Sequence, residues 1–489
     1  MTMAAESPKP KALRRLCGSE LFSSTRHHMG IYRAVSVSAR YSIPSQTKDV
    51  EATLTAALGD VVKDQPLMRV GILDEDTNQA AFSHLAEINL RNHMKWVTTS
   101  ATTPEEYESR IAKIQGDAHE ALWPNVATQA PWRIIIVRPT EKQYLDIMFL
   151  FHHGLFDGNA GGEFHQHLQK ALRAQTPSLA DADVDPILCF KEPPELPESL
   201  EDAVPFKNTY MFVAKALWEA KAPDFLQPHK TPVWAGKPVD YDHPHITRIK
   251  PLDFSPDVLQ SLLKGSRENG STLTCTFHAL ILASISRRTS AEEAQAFAST
   301  TPISLRNYMR KDVNQCLKNK MRGLVTSTSH DHSPTAVSAL RQPGATDDLI
   351  WQTARRVKAD LAKKAETLPV DDVIGLVSLI KDLFAFHASK NNKPRTGAWE
   401  ISNLGVLKQQ DATATDDGEQ GWEILRAMFS NGAQVSQAIG FNMISIPGKG
   451  LTIGISWQEG IVEDTLITGI GEDLLEFAAR WHEEGRFLA

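Results

Sequence analysis

Two adjacent histidines, His152 and His153, are followed by Asp157 and Gly158 at the end of an apolar run. An imidazole with an unperturbed pKa of about 6.5 can take a proton near neutral pH, from a hydroxyl or amine attacking an electrophile. Neighbouring residues at a strand end point to opposite faces, so only one histidine of the pair enters a given pocket. The competing assignment is structural. In that case His152 fills the interior and His153 only hydrogen-bonds a loop carbonyl. Asp157 has a bland role too, as the N-cap of a helix beginning near Asn159.

The elements around these residues suit a positioned base. Residues 143–151 read as a strand, with Leu145, Ile147, Phe149 and Phe151 on one face and Met148 and Leu150 on the other. Apolar side chains on both faces mark a central strand. Residues 163–174 then carry Phe164, Leu168, Ala171 and Leu172 at helical spacing. A side chain at such a strand–turn–helix junction reaches a cleft while its backbone stays rigid. The glycines of 158–162 read as permitting a tight reversal rather than as a phosphate loop.

The run His152-His153-Gly154-Leu155-Phe156-Asp157-Gly158 resembles the HHxxxDG signature of the CoA-dependent acyltransferase superfamily. That superfamily includes chloramphenicol acetyltransferase, plant HxxxD acyltransferases, peptide-synthetase condensation domains and fungal alcohol acetyltransferases. The resemblance implies that His153 is the general base against an acyl thioester. It also implies that Asp157 turns from the substrate and pairs with an arginine that fixes the turn. Pro66-Leu67-Met68-Arg69 resembles the HPxLR segment of condensation-type relatives and nominates Arg69. Pro302-Ile303-Ser304-Leu305-Arg306 resembles the PxxxR strand and nominates Arg306. Arg69 is the preferred partner.

Further matches run along the chain. The segment 15–20 with Arg26 and Gly30-Ile31-Tyr32 resembles the opening of fungal alcohol acetyltransferases. Ser402-Asn403-Leu404-Gly405 resembles their SNLG segment, and residues 428–431 and 451–460 resemble their final hairpin. Asn431-Gly432-Ala433 departs from the polar run of that hairpin. No DFGWG motif is present, which argues against the plant branch.

Attack on a thioester puts negative charge on the carbonyl oxygen, and one aimed donor there is worth about 3 to 4 kcal/mol. Trp399 and Ile401 lie in an alternating run that reads as a short strand ending at the cleft. Relatives place a serine near this point, so Ser402 or Asn403 is the candidate donor. The alternative is that both satisfy turn backbone groups.

Composition fits an enzyme. At 489 residues and 42% apolar the chain can bury two cores. A net charge of −7 excludes a broad basic surface, and with it nucleic acid as a partner. The four cysteines form no CxxC pair and read as reduced, cytoplasmic thiols. No run has signal-peptide or membrane-spanning length. Leu13, Leu16, Leu21 and Phe22 form an amphipathic face, read as packing on the protein rather than on a membrane.

Nearly half of the 27 prolines fall between Pro186 and Pro256, excluding long helices there apart from one around 210–221. The expected organisation is an N-terminal lobe at 1–190, a Pro-rich crossover at 191–245 and a C-terminal lobe at 246–489. Helices are expected at 50–62, 273–288, 347–365 and 370–387. A strand is expected at 132–137 and a hairpin at 439–457. His165 and His167 face different directions on a helix and make a poor metal pair. His330 and His332 read as solvated in a Thr/Ser-rich loop. No serine-hydrolase elbow, Walker loop or dinucleotide fingerprint is present.

The expected fold is α/β, with two chloramphenicol-acetyltransferase-like lobes of mixed sheet and flanking helices around a tunnel. The expected activity is acyl transfer from acetyl-CoA or another acyl-CoA, used as co-substrate with no bound cofactor or metal. The expected acceptor is a small alcohol of secondary-metabolite type, and the enzyme is expected to be a monomer. The alternatives are an amine acceptor, a carrier-bound donor as in condensation domains, or a non-acylating binding protein or cyclase on the same scaffold.

Overall fold

The computed structural model describes residues 10–101, 103–140, 142–175, 184–221, 231–409 and 421–488. The extreme N-terminal segment read above for targeting signals lies outside them through residue 9, as do 222–230 of the Pro-rich stretch.

Two main sheets carry the site. The five-stranded one runs in the order Ile424–Asn431, Val35–Ser42, Tyr144–Phe151, Trp132–Pro139, Met94–Thr99. Its pairs are antiparallel except the last, which is parallel. Tyr144–Phe151 lies at its centre, buried on both faces, which is why its sequence is almost continuously apolar. The six-stranded sheet runs Thr247–Phe254, Gly450–Gln458, Gln437–Ile446, Gly397–Val406, Phe297–Ser304, Val325–His332 and is mixed.

Each sheet has its own core. One centres on Phe149, Phe151, Phe156 and Phe164, with Phe149 and Phe164 stacked at 3.8 Å. The other centres on Phe277, Trp399, Phe441 and Ile453 under the helix Leu273–Arg288. Each such fully buried ring contributes about 1.5 to 3 kcal/mol. The first core also takes Ile424, Met428 and Phe429. The strand Ile424–Asn431 thus completes a sheet otherwise drawn from residues 35–151, and the sheets do not divide at the Pro-rich crossover.

The helix after the motif begins at Gly158 rather than 163, because Asp157 caps it: Oδ1 accepts the Ala160 amide at 2.9 Å. Gly158 serves close packing rather than a left-handed turn. A Cβ there would lie 2.7 Å from Leu404 Cδ2 and 2.9 Å from Phe429 Cζ.

Two expectations fail. Residues 370–387 form two short helices, Ile374–Val377 and Leu383–Ala388, not one long one. Asp382 accepts the Ala385 amide and starts a new helix inside the apolar run. His330 and His332 are buried on the strand Val325–His332, not solvated. Thr301 and Ser299 of the adjacent strand hydrogen-bond their rings at 2.9 Å each, an arrangement a loop reading cannot anticipate. Leu16 is buried, and Leu13 and Leu21 pack on the first core. No helix among the described residues is long and apolar enough to cross a membrane.

Candidate active site

His153 sits just past the end of the central strand Tyr144–Phe151, on the wall of a cavity of about 440 Å³. Its Nδ1 lies 2.8 Å from the Phe156 carbonyl oxygen. A carbonyl only accepts, so the ring proton is on Nδ1 and the Nε2 lone pair is left as the basic position. Burial disfavours the charged ring and Arg26 nearby adds to that, lowering its pKa to about 4. His153 is therefore neutral at physiological pH and ready to accept a proton.

His152 points the opposite way and is fully buried. The Gly154 amide donates to its Nδ1 at 2.8 Å, so Nε2–H donates to Glu75 at 3.0 Å. His27 donates to the same carboxylate from Nδ1 at 3.0 Å, its Nε2 accepting the Trp123 amide at 3.3 Å. Ser24 Oγ adds a third donor at 3.2 Å. Burial would raise the Glu75 pKa, but the bonds from His152 and His27 outweigh it and hold the group well below the usual carboxylate range. These ligand atoms lie within 4.8 Å of one another, a spacing a metal can bridge. Here both histidine protons are committed to the carboxylate, so the cluster works as a latch holding the motif's first histidine.

Asp157 is 3% exposed and fully engaged. Arg306 donates to both of its oxygens at 2.8 and 3.0 Å, and the Leu324 amide donates to Oδ2 at 2.8 Å. Burial pushes the carboxyl up, but Arg306 and the two amides prevail and keep it below its ordinary value. Capping and ion pairing coexist in one residue. Arg306, not Arg69, is the partner. Arg69 is spent elsewhere, its guanidinium 4.7 Å from the Phe190 ring centroid. Arg306 follows the strand Phe297–Ser304 of the other sheet, so the ion pair ties the motif's turn across the two lobes.

The strand Gly397–Val406 divides its residues by the two-residue period. Glu400 and Ser402 face the cavity. Trp399 and Asn403 face the helix Leu273–Arg288, bonding His278 at 3.0 Å and Thr274 at 2.9 Å. Asn403 Oδ1 also accepts the Gly405 amide at 2.8 Å. Of the two candidate donors, the structure brings only Ser402 to the cavity with His153. Gly158 stands on the same wall.

Sequence reasoning missed Glu75, Tyr32's role on the wall, and two charged lining residues, Arg26 and Glu400. Glu400 was open to discovery from its parity with Ser402. Arg26 shares helical spacing with Ser19, Phe22 and Ser23 on the helix Gly18–His28, and all four line the cavity. Nothing local signals Glu75, which reaches His152 from 77 positions away.

The chain is similar to known proteins in sequence and in fold. The alcohol acetyltransferase family model matches residues 104–476. FCK4 of Fusarium pseudograminearum, named a probable alcohol acetyltransferase, is 28% identical across 97% of this chain and 96% of its own. CrmB of Aspergillus fumigatus, also named a probable alcohol acetyltransferase, is 22% identical across 94% and 98%. In structure, TRI3 trichothecene 15-O-acetyltransferase from Fusarium sporotrichioides superposes with a TM-score of 0.70 at 14% identity, covering 98% of this chain and 99% of that one. The first condensation domain of the CDA synthetase gives 0.57 at 12% identity, with coverage of 96% and 97%.

Proposed function

The chain belongs to the alcohol acetyltransferase family, and on that footing we propose that it moves an acetyl group directly from acetyl-CoA to the hydroxyl of a small, secondary-metabolite-like alcohol. His153 is the general base in this reading. Its Nε2 takes the hydroxyl proton as the alcohol oxygen bonds to the thioester carbonyl carbon. The carbonyl electrons move onto oxygen, where the Ser402 hydroxyl is available to donate. Collapse of that intermediate re-forms the carbonyl and breaks the carbon–sulfur bond. The departing CoA thiolate then receives the proton from His153.

One observation carries the reading: a neutral imidazole, its Nδ1 proton fixed on Phe156, stands on the wall of a large cavity. The secondary-metabolite character rests on the likeness to a trichothecene acetyltransferase and to fungal relatives. The enzyme is read as monomeric and cytoplasmic, and four free thiols suit a reducing compartment.

The test is incubation with acetyl-CoA and a metabolite panel containing alcohols and amines. Release of free CoA thiol and a product heavier by one acetyl group are expected, on oxygen rather than nitrogen. His153→Ala is expected to lower the rate about 10²- to 10⁴-fold with the fold retained. A rearranged product of unchanged mass, or undiminished transfer by His153→Ala, refutes the proposal.

A further inference from the structure

Four carboxylate or guanidinium side chains line the cavity: Glu20, Arg26, Asp157 and Glu400. Two are neutralised in place. Glu20 pairs with Arg14 at 2.8 Å and Asp157 with Arg306 at 2.8 Å. Arg26 is different. Its guanidinium is held between two rings, 4.8 Å from the centroid of Phe22 and 4.6 Å from that of Tyr32. Its polar contact is Nη2 to Ser23 Oγ at 3.3 Å, and its buried Nε meets no acceptor among the described residues. No carboxylate among the described residues comes within ion-pair distance of it.

Glu400 acts on Arg26 only through space and makes no ion pair with it, and an arginine taken from water with no carboxylate in contact is costly and persists where something else supplies the anion. A guanidinium fork between aromatic rings is pre-organised for a carboxylate. Tyr32 gives the scale, since the ring that Arg26 covers also lies 5.6 Å from the His153 ring. A hydroxyl placed at His153 thus has Arg26 about one aromatic ring away. CoA carries its phosphates at the far end of a long neutral arm, so an anion at this depth comes from the acceptor.

Glu400, across the cavity, argues for the same orientation. Its Oε1 accepts from Gln434 at 3.1 Å and Asn431 at 3.4 Å, and burial raises its pKa, with Gln434 and Arg26 opposing. It is already supplied with donors, whereas Arg26 has only the Ser23 hydroxyl as acceptor and its Nε has none among the described residues.

Resting on the acetyltransferase reading, we propose that the acceptor is a hydroxylated carboxylic acid, its carboxylate bound by Arg26 while its hydroxyl meets His153. Arg26 is a specificity-determining residue that precedes the span matched by the family model.

Calorimetric binding without acyl-CoA tests this, because it needs no turnover. The probes are para-hydroxymethylbenzoate, para-hydroxyphenylacetate and tropate, each against its primary amide. For at least one pair the carboxylate is expected to bind about tenfold or more tightly. Arg26→Met is expected to abolish that preference and Arg26→Lys, which keeps the charge, to retain part of it. Glu400→Gln is expected to leave the preference intact or increase it. Equal binding of acid and amide throughout overturns the proposal, as does identical behaviour of the Met and Lys variants. Loss of preference in Glu400→Gln does so too, because it assigns recognition to the other wall. Failure of the acetyltransferase reading looks different: no CoA is released with any acceptor while the carboxylate preference stands.

Discussion

An imidazole such as His153, with its proton affinity lowered to about 4, behaves differently from an ordinary histidine. It is weaker, but the fraction in the useful neutral form stays near unity well below pH 7. The acid limb of kcat/KM is therefore expected near pH 4 to 5 rather than at the unperturbed value of about 6.5. Arg26→Met removes a nearby positive charge, stabilises the protonated ring and moves the limb upward, partially, because burial is the larger cause. A stopped assay with brief acid exposure measures this, and a limb at 6.5 in the parent would show that the cavity is wetter than its lining implies. The two-residue period separates Ser402 from Asn403 just as sharply. Ser402→Ala is expected to lower kcat about 10²- to 10³-fold with the donor KM little changed. Asn403→Ala is expected to cost about 1 kcal/mol of stability while kcat per folded molecule is kept. The reverse pattern would move the oxyanion site to the other face of the strand. His153 and Asp157 were legible because their chemistry lies in a contiguous motif. Arg26, Glu75 and Glu400 were not, because their meaning comes from what folding sets beside them.

The strand–turn–helix unit holds His153 through two ties of different kinds. The Glu75 latch grips His152 from inside one lobe, whereas the Asp157–Arg306 pair reaches across to the other. Asp157→Asn leaves Arg306 with Glu163 as its remaining counter-charge, bonded from Nε at 2.9 Å, and is expected to cost about 1 to 3 kcal/mol. Adding Arg306→Met restores part of the loss, because Glu163 then loses its partner too, and adding Arg69→Met restores none. Denaturant midpoints of the three variants decide it, with rescue by Arg69→Met the outcome that contradicts the geometry. Most elements were readable at this scale. Leu273–Arg288 falls where its apolar spacing puts it, and the central strand differs by one residue from expectation. The segment 370–387 misled because its apolar residues face the cavity instead of a helix-packing groove, with Val373, Ile374, Leu376 and Val377 all on the wall. His330 and His332 misled because polar residues around them suggest water. In the fold those hydroxyls are their hydrogen-bond partners.

Across the whole molecule, neutral buried histidines set a pH limit. Burial lowers His93, His165, His245 and His387 to about 4 and His119 and His332 to about 3. The unfolded chain binds these protons from about pH 6.5 downward and the native one does not, so stability is full above about 6.5 and falls as pH drops toward 4. The thermal midpoint is expected to drop by about 5 °C or more between about pH 7.5 and pH 5. A flat midpoint would mean that the rings are protonated in place. The lobes were expected from length and proline distribution, but the exchange of one strand was not, since Ile424–Asn431 reads like any other short strand.

That exchanged strand sets the order in which the protein can be completed on the ribosome. Val35–Ser42 emerges early and pairs with Tyr144–Phe151 along one side, while its other side waits for residues 424–431, nearly four hundred positions later. During that interval the nascent chain presents an unpaired edge beside His153. A chain truncated within the crossover keeps that edge permanently, and it is expected to aggregate rather than persist as a small stable domain.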